Sequence, residues 1–343
     1  MDLTNKKIMI ISFSNNGAFL STKIEKELNG VINNYSFYKY ADNYHLKPFN
    51  KVKDLLTTEF NNNDFIIFIG AVGIAVREIA PFIKNKMVDP GVVVIDELGK
   101  YTISLLSGHI GLANMFTKFL AKRLNSQPII TTATDINNRF SIDEWSTINN
   151  LKIDNMNTFK EIAGVIINNN IGFKSDFSYE GSLPNGLEVN DNLDEGVYIT
   201  YKNLNPFKKT LKLIPKVLSV GVGCKKGTSA SLIEDAINLV FKENSLLISS
   251  IKSISSIDLK KDEEGIIEYA KKINVPFNYY SKEELLKLDG DFSKSDFVLK
   301  TVGVDCVCER TAKISSTGSI IVRKKAINGV TVSVALDKYI IKF

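Results

Sequence analysis

Apolar and polar positions alternate in short blocks along the first 135 residues, and the spacing inside each block predicts its element. Residues 7–12 read KIMIIS, 65–70 read FIIFIG and 92–96 read VVVID. Such apolar runs are too short for helices and rich in β-branched side chains, so they are buried strands. Further strands are expected at 35–40, 102–106 and 128–132, with helices between several of them, one of which runs over 21–29 and stops at Gly30. After the strand at 65–70, Gly70-Ala71-Val72-Gly73 leads into Ile74, Ile79 and Phe82 at near-helical spacing: strand, tight turn, helix. The prediction is an α/β, mainly parallel doubly wound sheet, with 92–96 and 102–106 forming a hairpin across Leu98-Gly99.

Beyond residue 137 the pattern changes. Asparagine and glycine become frequent, strands shorten, and Asn185-Gly186 has the composition of a hairpin turn, which predicts a small α+β middle domain. Near Val217 the strand-turn-helix pattern returns. Leu232, Ile233, Ala236, Ile237, Val240 and Phe241 trace one helical face, with Ser231 and Glu234 at the spacing of a capping box. Helices are also expected from Asp258, from Ser281 with Glu284, and over 304–314, before strands at 319–323 and 330–336. The expected domains are an N-terminal α/β domain over 1–138, a middle domain over 139–215 and a C-terminal α/β domain over 216–343.

Candidate chemistry gathers between Gly70 and Asp135. Sites in open α/β sheets form at the carboxyl ends of strands. Asp96 and Glu97 end one strand, Ser107-Gly108-His109 ends another, and Thr131-Thr132-Ala133-Thr134-Asp135 follows a third, so all are expected on one rim together with Asn114. His109 is the candidate base, because an unperturbed imidazole has a pKa of ~6.5. The Gly70–Gly73 turn lets backbone amides approach an anion at a helix N-terminus, the alternative being simple close packing of helix on strand. Later in the chain, Gly221-x-Gly223-x3-Gly227 resembles a phosphate loop in outline but lacks GK[ST]. Asp262 and Glu263 suit a helix dipole, Lys260 suits a ligand carboxylate better, and Glu309 reads as a surface glutamate.

Composition narrows the classes. A length of 343 residues suggests two or three domains. Lys plus Arg number 43 against 38 acids, a balance of +5 with no basic stripe, which argues against nucleic-acid binding. No run of about 18 apolar residues predicts a membrane span, and the start MDLTNKKIMIISFS has no signal core, so a cytoplasmic protein is expected. Val304, Val307, Cys308 and Ala312 fall at helical spacing, which would turn Cys306 about 200° away from Cys308. No zinc site is therefore expected, only reduced thiols.

The segments GAVGIAVREIAP, DPGVVVIDE, ISLLSGHIGLAN and ITTATD resemble the N-terminal signature of the cobalt-precorrin-5A hydrolase family of anaerobic cobalamin biosynthesis. VGVGCKKGTS, SIDLKKDE, VGVDCVCE and VTVSVA resemble that family's C-terminal domain. The resemblance implies a hydrolase that opens the ring A lactone of cobalt-precorrin-5A with water and releases acetaldehyde to give cobalt-precorrin-5B. The cobalt belongs to the substrate, and neither a cofactor nor a protein-bound metal is expected. His109, Glu97, Asp96 and Ser107 are the implied catalytic groups. The implied substrate-binding residues are Gly70, Gly73, Arg77, Gly108, Asn114, Thr132, Thr134, Asp135, Gly221, Gly223, Lys225, Gly227, Thr228, Lys260 and Glu309, with Lys86 and Lys226 as further carboxylate partners. The expected partners are the cobalt-bearing tetrapyrrole, water and, transiently, neighbouring enzymes of the pathway, with no nucleic acid and no membrane. Two alternatives are a noncatalytic tetrapyrrole carrier and a nucleotide-binding regulator.

Overall fold

The first apolar run is a strand, β1 (Lys7–Ser12), because it has two faces to fill. Ile8 and Ile10 pack with Ile24, Phe116 and Leu120, while Met9 and Ile11 pack with Leu56, Phe60 and Ala75. A computed structural model describes residues 1–343, with every side chain but that of Phe297. It comprises two units, Met1–Ile148 and Asn149–Phe343.

In the first unit β2 (Val31–Phe37), β3 (Lys47–Phe49), β4 (Phe65–Ile69), β5 (Gly91–Ile95), β6 (Tyr101–Leu106) and β7 (Gln127–Ile129) join β1 in the order β3-β2-β1-β4-β5-β6-β7. The strands β1 to β5 run parallel. β6 turns back antiparallel against β5, the hairpin expected from Leu98-Gly99, and β7 runs parallel to β6. The sequence pattern did not register β3, which has only three residues.

The second unit holds two five-stranded sheets. One contains β8 (Lys152–Ile153), β9 (Ile171–Ser175), β11 (Leu187–Glu188), β12 (Glu195–Ile199) and β13 (Lys209–Ile214), in the order β11-β9-β12-β13-β8. Asn185-Gly186 makes no hairpin here. The strand before it, β10 (Ser178–Glu180), pairs with β19 (Ile340–Lys342), and the Gly186 carbonyl accepts from the Ile171 amide to start a parallel β9–β11 ladder.

The other sheet is built from β14 (Leu218–Gly223), β15 (Ile251–Ile257), β16 (Phe277–Tyr280), β17 (Ser319–Ile327) and β18 (Val330–Leu336), in the order β16-β15-β14-β18-β17. Val220 and Val222 face the helix Ala230–Glu243, as the apolar spacing predicts. Its N-cap is Ser229 and not Ser231: the Ser229 hydroxyl accepts from the Leu232 amide, and Glu234 pairs with Lys272 instead. The capping box of Ser281 and Glu284 is present as expected. On the opposite face Gly221 lies under the helix Val307–Ile314, where a Cβ would come 1.9 Å from the Cys308 carbonyl oxygen. Gly221→Ala is expected to destabilise the second unit by about 1–3 kcal/mol or more, read as a lower melting temperature.

The two neighbouring cysteines do not diverge. Cys306 is the extended N-cap of that helix, outside its helical turn, so its sulfur lies 3.7 Å from that of Cys308. No helix of the described residues is long and apolar enough to cross a membrane.

Candidate active site

The reversal of β6 decides which candidates meet. Val92 faces Leu106 and Ile95 faces Thr102, so the residues after β6 and β7 lie at the sheet edge where β4 and β5 begin. Gly70, Gly73, Arg77, Asp96 and Glu97 follow β4 and β5 and lie at the other edge, roughly 16 Å away along β6. The expected single rim is therefore two separate clusters.

At the second of these edges Asp96 closes the hairpin, its carboxylate accepting from the Leu98 and Tyr101 amides. Glu97 accepts from the Ser14 hydroxyl at 2.5 Å. Neither carboxylate can reach His109, so neither shares in proton transfer with it.

The His109 edge is a dense network. Ser107 and Leu112 adopt left-handed backbone angles that fold residues 107–112 into a tight loop ahead of the helix Ala113–Leu124. Gly108 is required there, since a Cβ would come 2.8 Å from Asn114 Oδ1. That space lets Asn114 donate to Thr132 Oγ1 and to Asp135 Oδ2, each at 2.9 Å. Asp135 also accepts from the Thr132 hydroxyl at 2.7 Å and from Lys118 Nζ at 2.7 Å.

The imidazole of His109 sits between two carboxylates. Nε2 lies 3.0 Å from Asp135 and 3.2 Å from the Thr134 hydroxyl, and Nδ1 lies 3.1 Å from Asp143. Burial disfavours a charged ring, but the bonds to Asp135 and Asp143 outweigh it and raise the pKa from 6.5 to about 9. His109 is therefore an imidazolium at neutral pH. It cannot serve as the resting base that its ordinary pKa suggested. Burial alone would raise both carboxylates, yet His109 holds Asp135 and Asp143 below their usual range, with Lys118 and Thr132 adding to the effect on Asp135. Ser107 contributes no nucleophile: its hydroxyl is enclosed without a partner among the described residues.

In the second unit a cavity of about 680 Å³ is lined by Lys226, Gly227, Thr228, Lys260, Glu264 and Glu268, among others. Lys260 is committed to Glu263 at 2.8 Å, and Glu263 also accepts the Gly227 amide, so this acid pins the glycine loop and does more than face a helix dipole. Lys225 and Lys226 are exposed. Gly221 and Gly223 lie against Cys308 and Thr331, a packing role. Glu309 is no surface residue. It is fully buried, and its carboxylate accepts from the Ser293 amide and hydroxyl, the Lys324 amide and Arg323.

Family models place these features in context. Residues 54–135 match the Cobalamin synthesis G N-terminal model, and residues 218–335 match the Cobalamin synthesis G C-terminus model. A cobalt-precorrin-5A hydrolase of Priestia megaterium is 32% identical, over 88% of this chain and 90% of its own length. A protein of the same name from Salmonella typhimurium is 33% identical, over 81% of this chain and 83% of its own. The chain belongs to the cobalt-precorrin-5A hydrolase family. It is also similar to the crystal structure of a cobalamin biosynthesis protein G homolog from Sulfolobus solfataricus, at 26% identity and a TM-score of 0.44, covering 97% of this chain and 99% of that one.

Within this family of hydrolases, the N-terminal match ends at Asp135, short of Asp143 and Glu144 on the helix Ile142–Ile148. Sequence reasoning missed both. The available signal was Ser141-Ile142-Asp143-Glu144, a helix-start pattern with paired acids just past the motif. His109, Asp135 and Glu144 each bring one donor atom within 4.8 Å of the others, a spacing that could suit a cation. Asp135 Oδ2, however, already accepts from His109, Asn114 and Thr132, and a cation there would displace these bonds.

Proposed function

We propose that this chain opens the ring A lactone of cobalt-precorrin-5A with water and releases acetaldehyde, giving cobalt-precorrin-5B in anaerobic cobalamin biosynthesis. The observation that supports this most is an imidazolium locked between Asp135 and Asp143, in a chain whose relatives at 32% and 33% identity carry the hydrolase name. Ester hydrolysis develops negative charge on the carbonyl oxygen, and a fixed cation in a partly desolvated site stabilises that charge. In this reading His109 supplies the fixed positive charge, its two N–H groups being held by Asp135 and Asp143, and the Thr134 hydroxyl beside Nε2 is the donor. Lys118 is tied to Asp135 and keeps that carboxylate ionised. The cobalt rides on the substrate and needs no protein ligand.

The test is anaerobic incubation with cobalt-precorrin-5A in the presence of an aldehyde trap. Trapped acetaldehyde should rise with loss of the lactone, one molecule per macrocycle. A macrocycle that stays bound with its lactone intact would make the protein a carrier.

A further inference from the structure

We infer that Glu144 is a further catalytic residue, whose carboxylate takes the proton from the water that attacks the ester carbonyl. This rests on the lactone-opening reading. A base must keep a lone pair open, and the three carboxylates near His109 differ in that respect. Asp135 accepts hydrogen bonds on both oxygens, and Asp143 is engaged by His109 and Ser141. Among the described residues no donor is seated on the Glu144 carboxylate, although one of its oxygens approaches a His109 nitrogen and an Asp135 oxygen within 4.8 Å. One water, with bonds of about 2.8 Å to each side, spans such a gap.

The surroundings favour the role. The ionisable groups facing Glu144 are His109 on the loop after β6, Asp135 after β7, Lys118 on the helix Ala113–Leu124 and Asp143 on its own helix, with Lys86 beyond Asp143. Burial first, and then the charge of Asp135, push Glu144 above the ordinary carboxylate value, while His109 stays cationic. Environments that drive two groups apart in this way assign the proton acceptor and the electrostatic partner.

The step balances. The water oxygen bonds to the carbonyl carbon, its proton passes to Glu144, and the carbonyl pair moves onto oxygen beside His109. Return of that pair breaks the ring C–O bond. The departing alkoxide then takes the proton back from Glu144, leaving a carboxylic acid, an alcohol and an ionised base.

The experiment compares wild type, Glu144→Gln and Glu144→Asp for aldehyde release across pH, with substrate binding followed by the macrocycle's visible absorption. Glu144→Gln is expected to lose ~10²- to 10⁴-fold in kcat with binding unchanged and the acid limb of the profile gone, while Glu144→Asp keeps part of the activity. Full turnover of Glu144→Gln with the acid limb in place overturns the inference. So does equal loss of binding and thermal stability in both variants, which would mark a structural role. A wild-type protein that releases no aldehyde would instead remove the lactone reading on which the inference stands.

Discussion

His109→Ala is expected to lower kcat for aldehyde release by ~10²- to 10³-fold, the usual cost of deleting an oxyanion partner. The pH profile separates this role from that of a base. A neutral imidazole acting as base would gain activity as pH rises through 6.5, whereas the ring held by Asp135 and Asp143 stays charged until pH approaches about 9. Activity that needs the cation therefore falls on the alkaline side as pH approaches about 9, while a profile that stays level there would contradict the assignment. Stability follows the same sign. The folded-state pKa of His109 is raised, so its contribution is complete below about 6.5 and is lost as pH climbs toward about 9. Asp135 is shifted the other way, and its contribution is present above its ordinary value of 3.8 and lost on acidification. Thermal melts of wild type and Asp135→Asn across pH should show the alkaline decline reduced and moved to lower pH in the variant, with Asp143 and Glu144 sustaining the remainder.

Glu309→Ala is expected to be the most destabilising single change in the second unit. Truncation leaves the Ser293 amide, the Ser293 hydroxyl and the Lys324 amide without their acceptor, at a fully buried position beside Arg323. Removing one partner of a buried charged network costs about 3–5 kcal/mol. A unit of this size loses roughly 2–4 °C of melting temperature per kcal/mol. Burial alone would raise the carboxyl pKa, but the donors from Lys324, Ser293 and Arg323 hold it below the ordinary value. The stabilisation is thus present above that value and disappears as pH falls through the depressed one. Glu309→Gln keeps the acceptor oxygen and should lose less, and a Glu309→Ala melt equal to wild type would refute the argument.

Much of the scaffold was legible because short apolar runs leave few alternatives. Residues 7–12 and 330–336 match β1 and β18 throughout, and the hairpin at Leu98-Gly99 forms where its turn residues stand. The grouping of the site was less so. Which edge a residue occupies depends on strand direction: one reversed strand sends His109 away from Glu97, although only 12 positions separate them. Cys306 failed for a local reason, since helical spacing cannot show that a residue is a cap with extended angles. Glu309 failed for a distant one. Its partners Ser293 and Lys324 lie on either side in sequence, and a charge reads as surface until such donors close around it. Asp143 and Glu144 lie beyond the last recognisable motif.

The reversed strand has a corollary for mutagenesis. The Gly70–Gly73 turn and the His109 loop lie on opposite margins of one sheet, so substitutions in that turn leave the titration of the imidazolium as it was. What that turn contacts and what holds the imidazolium can therefore be altered one at a time.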